Sequence, residues 1–111
     1  MPIVVEYTTA VSAAEYDEVI SRIRFHDDPP EGLVVHTAAV NGEGRMRIFD
    51  VWRSLENHDR FAEDRLRPAL AEVVGQEYAD NGSRVEVHEL HSLVKPGWSP
   101  RPRRPPAALD R

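Results

Sequence analysis

The chain has 111 residues, no cysteine and a formal net charge of −5, enough for one domain with a single core. Without cysteine there is no disulfide framework, thiolate metal site or cysteine nucleophile. The acidic first 95 residues, with 10 Lys/Arg against 18 Asp/Glu, argue against a nucleic-acid-binding surface.

No apolar run approaches the ~20 residues of a membrane span, and the N-terminus lacks a basic-then-apolar signal pattern. A cytoplasmic protein without a membrane or nucleic-acid partner is expected. Residues 2–8 (PIVVEYT) are rich in β-branched and aromatic types and read as a strand, with Ile3, Val5 and Tyr7 to one side. Ser12 followed by Glu15 is a capping box that opens a helix. Its apolar stripe is Ala13, Tyr16, Val19, Ile20 and Ile23. Asp27-Asp28-Pro29-Pro30 ends any helix, because proline has no N–H to donate and restricts the residue before it.

The stretch Gly32 to Ser54 reads as a hairpin about the Asn41-Gly42-Glu43-Gly44 turn, since Asn and Gly supply the positive φ that tight hairpin turns need. Setting Val40 opposite Arg45 places His36 against Phe49 and Val35 against Asp50. Val34, His36, Ala38, Phe49 and Val51 then share one face, and Leu33, Val35, Thr37, Ile48, Asp50 and Trp52 the other. Both faces are largely apolar. Ser54 caps a second helix running to about Val74, with Gly75 past its end and Pro68 expected to kink or split it. Leu55, Ala62, Leu66, Ala69, Leu70 and Val73 form its apolar face, with Phe61 beside it. Residues 76–83 read as a polar connection, and Arg84 to Val94 as a last strand.

The fold class expected is α+β, a ferredoxin-like β-α-β-β-α-β domain over residues 1–95, followed by a Pro/Arg-rich C-terminal tail over 96–111 that includes Trp98. Right-handed crossovers put both helices on one side of the sheet. A hairpin apolar on both faces therefore needs a second cover, and a two-fold copy of the chain is the simplest one. The expected assembly is a homodimer with the sheets face to face, a β-barrel-like dimer with the helices outside.

Glu31-Gly32-Leu33-Val34-Val35-His36, Phe49-Asp50-Val51-Trp52-Arg53-Ser54, Phe61 and Arg65-Leu66-Arg67-Pro68-Ala69-Leu70 together give a pattern that resembles the dimeric α/β-barrel superfamily. Within it, residues 2–95 look most like small proteins related to the antibiotic-biosynthesis monooxygenases. The resemblance implies a small-molecule pocket between sheet and helices in each half of a homodimer. Its members include cofactor-independent monooxygenases, polyketide cyclases, haem-degrading enzymes, lactone isomerases and proteins without a known reaction. The haem-degrading branch carries an iron-ligating His and a Trp on the second long helix. Here that helix offers Phe61 and no His in its latter half, while His58 sits near its start, so haem is set aside and no cofactor is expected.

His36 and Asp50 are the candidate catalytic residues. A neutral imidazole in a partly desolvated place serves as acid or base near neutral pH; the plain alternative is a core or interface histidine satisfied by one hydrogen bond. A buried Asp50 must be paired or have its pKa raised. It is either structural, paired with Arg53, Arg65 or a tyrosine, or a base in a cavity. In the register above the two lie on opposite faces and make no direct dyad. Tyr7, Tyr16, Trp52 and Phe61 are candidates to hold a flat substrate, with Arg65 to offset an anion; ordinary core packing is the competing role for the aromatics. His88 and His91, three apart in a strand, fall on opposite faces and make no metal pair. The expected function is a small-molecule enzyme without cofactor, monooxygenase- or cyclase-like, acting on an aromatic or polyketide-type substrate by proton abstraction. The alternative is a non-catalytic homodimeric ligand-binding or accessory protein.

Overall fold

The computed structural model describes residues 1–96. The tail expected over 96–111, Trp98 with it, lies outside the described residues beyond Pro96. Strand β1 (Ile3–Thr8) leads into helix α1 (Ala13–Ile23), the hairpin strands β2 (Leu33–Val40) and β3 (Met46–Trp52), helix α2 (Leu55–Phe61), helix α3 (Arg67–Val74), the short helix α4 (Gln76–Asn81) and strand β4 (Arg84–Glu89). The strands form one antiparallel sheet in the order β2-β3-β1-β4, the ferredoxin-like arrangement. Helix α1 opens on the expected capping box: Ser12 Oγ accepts from the Glu15 N–H, and the Glu15 carboxylate accepts from the Ser12 N–H. It closes on Arg24 in the left-handed region at φ 55°.

The hairpin register differs from the expected one by one residue, and the turn explains it. The Asn41 N–H donates to the Arg45 carbonyl, the Gly44 N–H donates to the Asn41 carbonyl, and Gly44 has φ 77°. This is a three-residue loop, a tight turn followed by a left-handed residue, so Val40 pairs with Met46 and not Arg45. Asn41 Oδ1 holds the loop by accepting from the N–H groups of Glu43 and Arg45. His36 consequently pairs with Asp50, Thr37 with Phe49 and Ala38 with Ile48. A bulge between Leu33 and Val35 returns the register, pairing Leu33 with Trp52. The bulge lets Leu33 and His36, three apart, both face the helices.

The core lies between that face and the helices: Ile3, Val5, Tyr7 and Trp52 from the sheet, Val19 and Ile23 from α1, Phe25, and Phe61 and Ala69 from the α2–α3 run. The opposite face carries Val4, Val35, Phe49 and Val51 toward one edge. Toward the other it is polar, with an Arg47–Glu6 ion pair at 2.8 Å and an Arg84–Glu86 pair at 2.9 Å. Gly32, at φ 86°, feeds β2 past the start of α2, where a Cβ would fall 2.3 Å from the Asn57 side chain; only glycine fits.

Pro68 does split the second helix. Its ring cannot tolerate the carbonyl four residues back. The chain widens by a π-helical turn over Ala62–Leu66, whose mark is the Arg67 N–H donating to the Ala62 carbonyl five residues earlier. The polar connection expected over 76–83 contains α4, whose Tyr78 hydroxyl accepts from the Ala10 N–H at 2.8 Å. The last strand stops at Glu89, five residues short of the expected end, so His91 lies outside it; His88 is on the open face with Glu86.

Candidate functional site

Because the register pairs His36 with Asp50, the two side chains meet on the helix-facing side, which corrects the expectation that they point apart. His36 Nδ1 lies 2.6 Å from Asp50 Oδ1 and Nε2 lies 2.6 Å from the Tyr16 hydroxyl. Strand β3 brings the acid, β2 the imidazole and the buried side of α1 the phenol. A carboxylate only accepts, so the imidazole donates from Nδ1 and its Nε2 accepts the Tyr16 hydroxyl proton. Phe25 lies against the His36 ring at a centroid distance of 4.4 Å, and the Tyr16 ring is within 4° of parallel to it. Aromatic contacts thus fix the ring plane while the carboxylate fixes the tautomer.

The chain ends at a cavity of about 60 Å³ between sheet and helices, lined by Tyr7, Tyr16, His36 and Asp50 among apolar side chains that include Val19, Phe25, Ile48 and Phe61. Burial pushes the Tyr16 hydroxyl up to about 12, with the Asp50 and Asp17 charges adding to it. The Tyr7 hydroxyl is likewise raised, by burial first and then by Asp50 and Asp59. Both phenols therefore keep their protons at neutral pH.

Tyr7 bonds to a second histidine. His58 Nε2 is 2.5 Å from the Tyr7 hydroxyl, and His58 Nδ1 is 3.0 Å from Asp59 Oδ1. In the sequence His58 stands out only as a possible haem ligand and Asp59 not at all; pairing a mid-helix histidine with a strand tyrosine 51 residues away requires the docked fold. Phe25, also passed over, left a weak trace as an aromatic just past the end of α1.

The remaining candidates fall in two groups. Phe61 lines the cavity and stacks obliquely on Phe25 and Trp52, at centroid distances of 5.5 and 5.3 Å. Trp52 is fully buried behind it, edge-on to His58 at 5.6 Å, and does not line the cavity. Arg65 is turned away: its guanidinium donates to the carbonyls of Ile23 and Asp28 and lies 5.8 Å from the Phe61 ring centre, tying the end of α1 to the π-helical turn. Beside the cavity is an open cleft of about 400 Å³, lined by Tyr7, His58, Asp59, Arg67, Asp80 and others; Tyr7, Leu66, Leu70 and Ser83 border both spaces. Among the described residues no helix is long and apolar enough to cross a membrane.

No protein-family model matches the sequence, and no curated protein is similar to it at a significant level. Solved structures are similar in fold. A protein of Deinococcus radiodurans assigned as an antibiotic biosynthesis monooxygenase superposes with a TM-score of 0.58 at 15% identity, over 86% of this chain and 97% of that one. Rv0793 of Mycobacterium tuberculosis gives 0.57 at 18% identity over 87% and 100%. The ActVA-Orf6 monooxygenase of Streptomyces coelicolor, in complex with nanaomycin D, gives 0.50 at 16% identity over 86% and 92%. The ferredoxin-like α+β fold of this chain is shared with these structures.

Proposed function

We propose that the protein is a cofactor-independent small-molecule enzyme, monooxygenase- or cyclase-like, that removes a proton from an aromatic or polyketide-type substrate. The observation that carries this reading is the Asp50–His36–Tyr16 chain ending at an apolar cavity. As the substrate proton moves to Tyr16 Oη, the tyrosine's own proton moves to His36 Nε2, and the imidazolium so formed is held against Asp50. No tyrosinate is formed, and the only new charge lies beside an opposite one. Low polarity around the site strengthens that attraction. A methylene between aryl rings would be left as a carbanion. Dioxygen converts such a carbanion to a carbonyl, and the hydroxide lost takes back the proton held on His36 and leaves as water; in a cyclase the carbanion instead attacks a carbonyl of the same molecule.

Ligand pockets usually measure about 300–1,000 Å³, so the inner cavity takes the reacting end of the substrate only. The neighbouring cleft receives the rest past Leu66 and Leu70. The S. coelicolor structure, which holds nanaomycin D, supports a ligand of that class. The apolar part of the open sheet face, with Phe49 at 43% exposure beside Val35 and Val51, is read as the homodimer surface.

A second reading, a ligand-binding or accessory homodimer, is favoured by one observation: His36 and Asp50 are already bonded to each other in a small cavity. Titration with anthrones and quinones, followed by melting temperature and by ligand absorbance, separates the two. The enzyme reading expects a raised melting point, and a ligand anion band in the wild type that His36→Ala lacks. Binding without the anion band selects the accessory reading; no binding at all removes both.

A further inference from the structure

The Tyr7–His58–Asp59 chain lies outside the proton-abstracting group just described, yet it meets the same cavity. Tyr7 is buried and lines both the inner cavity and the outer cleft. His58 is 6% exposed and its Nε2 bonds to the Tyr7 hydroxyl, while its Nδ1 bonds to Asp59, whose side chain is 65% exposed. Every link from the cavity to solvent is thus present: a phenol inside, an imidazole in the wall, a carboxylate outside. The His58 ring, packed edge-on by Trp52, has one N–H to donate and one nitrogen to accept. Here both ring nitrogens are engaged, one inward and one outward.

We propose that Tyr7, His58 and Asp59 form a proton relay between the inner cavity and solvent in the outer cleft, with His58 a positioning residue that acts through Tyr7. When Tyr7 Oη takes up a proton from the cavity, its own hydroxyl proton passes to His58 Nε2. The Nδ1 proton passes to Asp59 and then to water. One proton enters, one leaves, and phenol, imidazole and carboxylate return to their starting charges once the ring's tautomer resets. The reverse sequence brings a proton in. Asp50–His36–Tyr16 takes a proton from the substrate; the second chain exchanges protons between the inner cavity and water in the outer cleft. The inference rests on the proton-abstraction reading of His36.

The test is deuterium uptake at the C10 methylene of anthrone, followed by proton NMR without oxygen in D2O, with anthrone affinity measured alongside. The wild type is expected to accelerate uptake and His36→Ala to abolish the acceleration. His58→Ala is expected to lower it by about tenfold, less than the roughly 10²–10⁴-fold of a direct acid or base because His58 acts through Tyr7, at unchanged affinity, and free imidazole to restore it. Asp59→Asn, at an exposed position that leaves the fold intact, is expected to lower it by about threefold, as loss of one link of such a relay should. If the wild type accelerates uptake, but His58→Ala and Asp59→Asn match it, the relay is overturned while the role of His36 stands. A His58→Ala loss that imidazole does not rescue and that follows weakened affinity means a structural histidine, and also overturns it. A wild type no faster than His36→Ala overturns the proton-abstraction reading and the relay together.

Discussion

The two Asp–His–Tyr chains have the same chemistry and opposite burial. In Asp50–His36–Tyr16 the carboxylate is the hidden end, 4% exposed, and the half-buried phenol lies nearer the surface. In Tyr7–His58–Asp59 the phenol is hidden and the carboxylate stands 65% in water. A buried carboxylate with one strong donor holds its imidazole in one tautomer and waits to stabilise a cation. An exposed carboxylate is screened, contributes little to stability and is free to trade protons with water. On the proposed reading, the same three groups serve as a base in one orientation and as a conduit in the other.

Breaking the buried end should cost most. Asp50→Ala strips His36 Nδ1 of its acceptor in a poorly hydrated place and is expected to lower stability by about 3 kcal/mol, read by chemical denaturation. Tyr7→Phe, which leaves His58 Nε2 without its partner inside the core, should cost about 1–2 kcal/mol in the same measurement. Tyr16→Phe, at a half-buried position where water can replace the phenol, should cost about 0.5–1 kcal/mol and yet remove the ligand anion band. Asp59→Asn should change stability by about 0.5 kcal/mol or less, so any effect on proton exchange is separable from folding. A destabilisation by Asp59→Asn as large as that by Asp50→Ala would erase the distinction between the two ends.

The phenols give the comparison a pH signature. Both tyrosines have hydroxyls raised by burial, so the folded state holds protons that the unfolded chain releases from its ordinary value of 10.0 upward. Their contribution is therefore complete below pH 10 and is lost as pH rises through about 12, the value for Tyr16. Urea midpoints measured from pH 9 to 12 should fall across that range in the wild type and fall less in Tyr16→Phe.

Element order and type, α4 aside, were legible in the sequence because caps, prolines and apolar spacing are local signals. Ser12 with Glu15, Ser54 before α2 and Pro68 within the second helix each act where the sequence places them. The meeting of His36 with Asp50 was not legible, and the cause is a single loop residue. Asn-Gly indicates a hairpin but leaves open whether the loop has two, three or four residues. Gly44 in the left-handed region selects three, and one residue of slip exchanges the faces of a strand. The bulge at Leu33/Val35 then hides the slip from any count made at the strand's other end, where Leu33 still faces Trp52. The second chain was less legible still, since His58 and Tyr7 meet only when α2 docks on β1. Trp52 and Phe61 are both buried as aromatics at such spacing should be, and only Phe61 reaches the cavity.

For the proposed proton transfer, the Asp50 carboxylate must hold the His36 ring with Nε2 turned toward Tyr16 and the cavity. Long-range nitrogen–proton NMR of the histidine rings reads this directly. A neutral His36 with its proton on Nδ1 in the wild type, giving way to a mixture of tautomers in Asp50→Ala, is the predicted result. A His36 protonated on Nε2 when neutral, or one whose tautomer ignores the loss of Asp50, would contradict it.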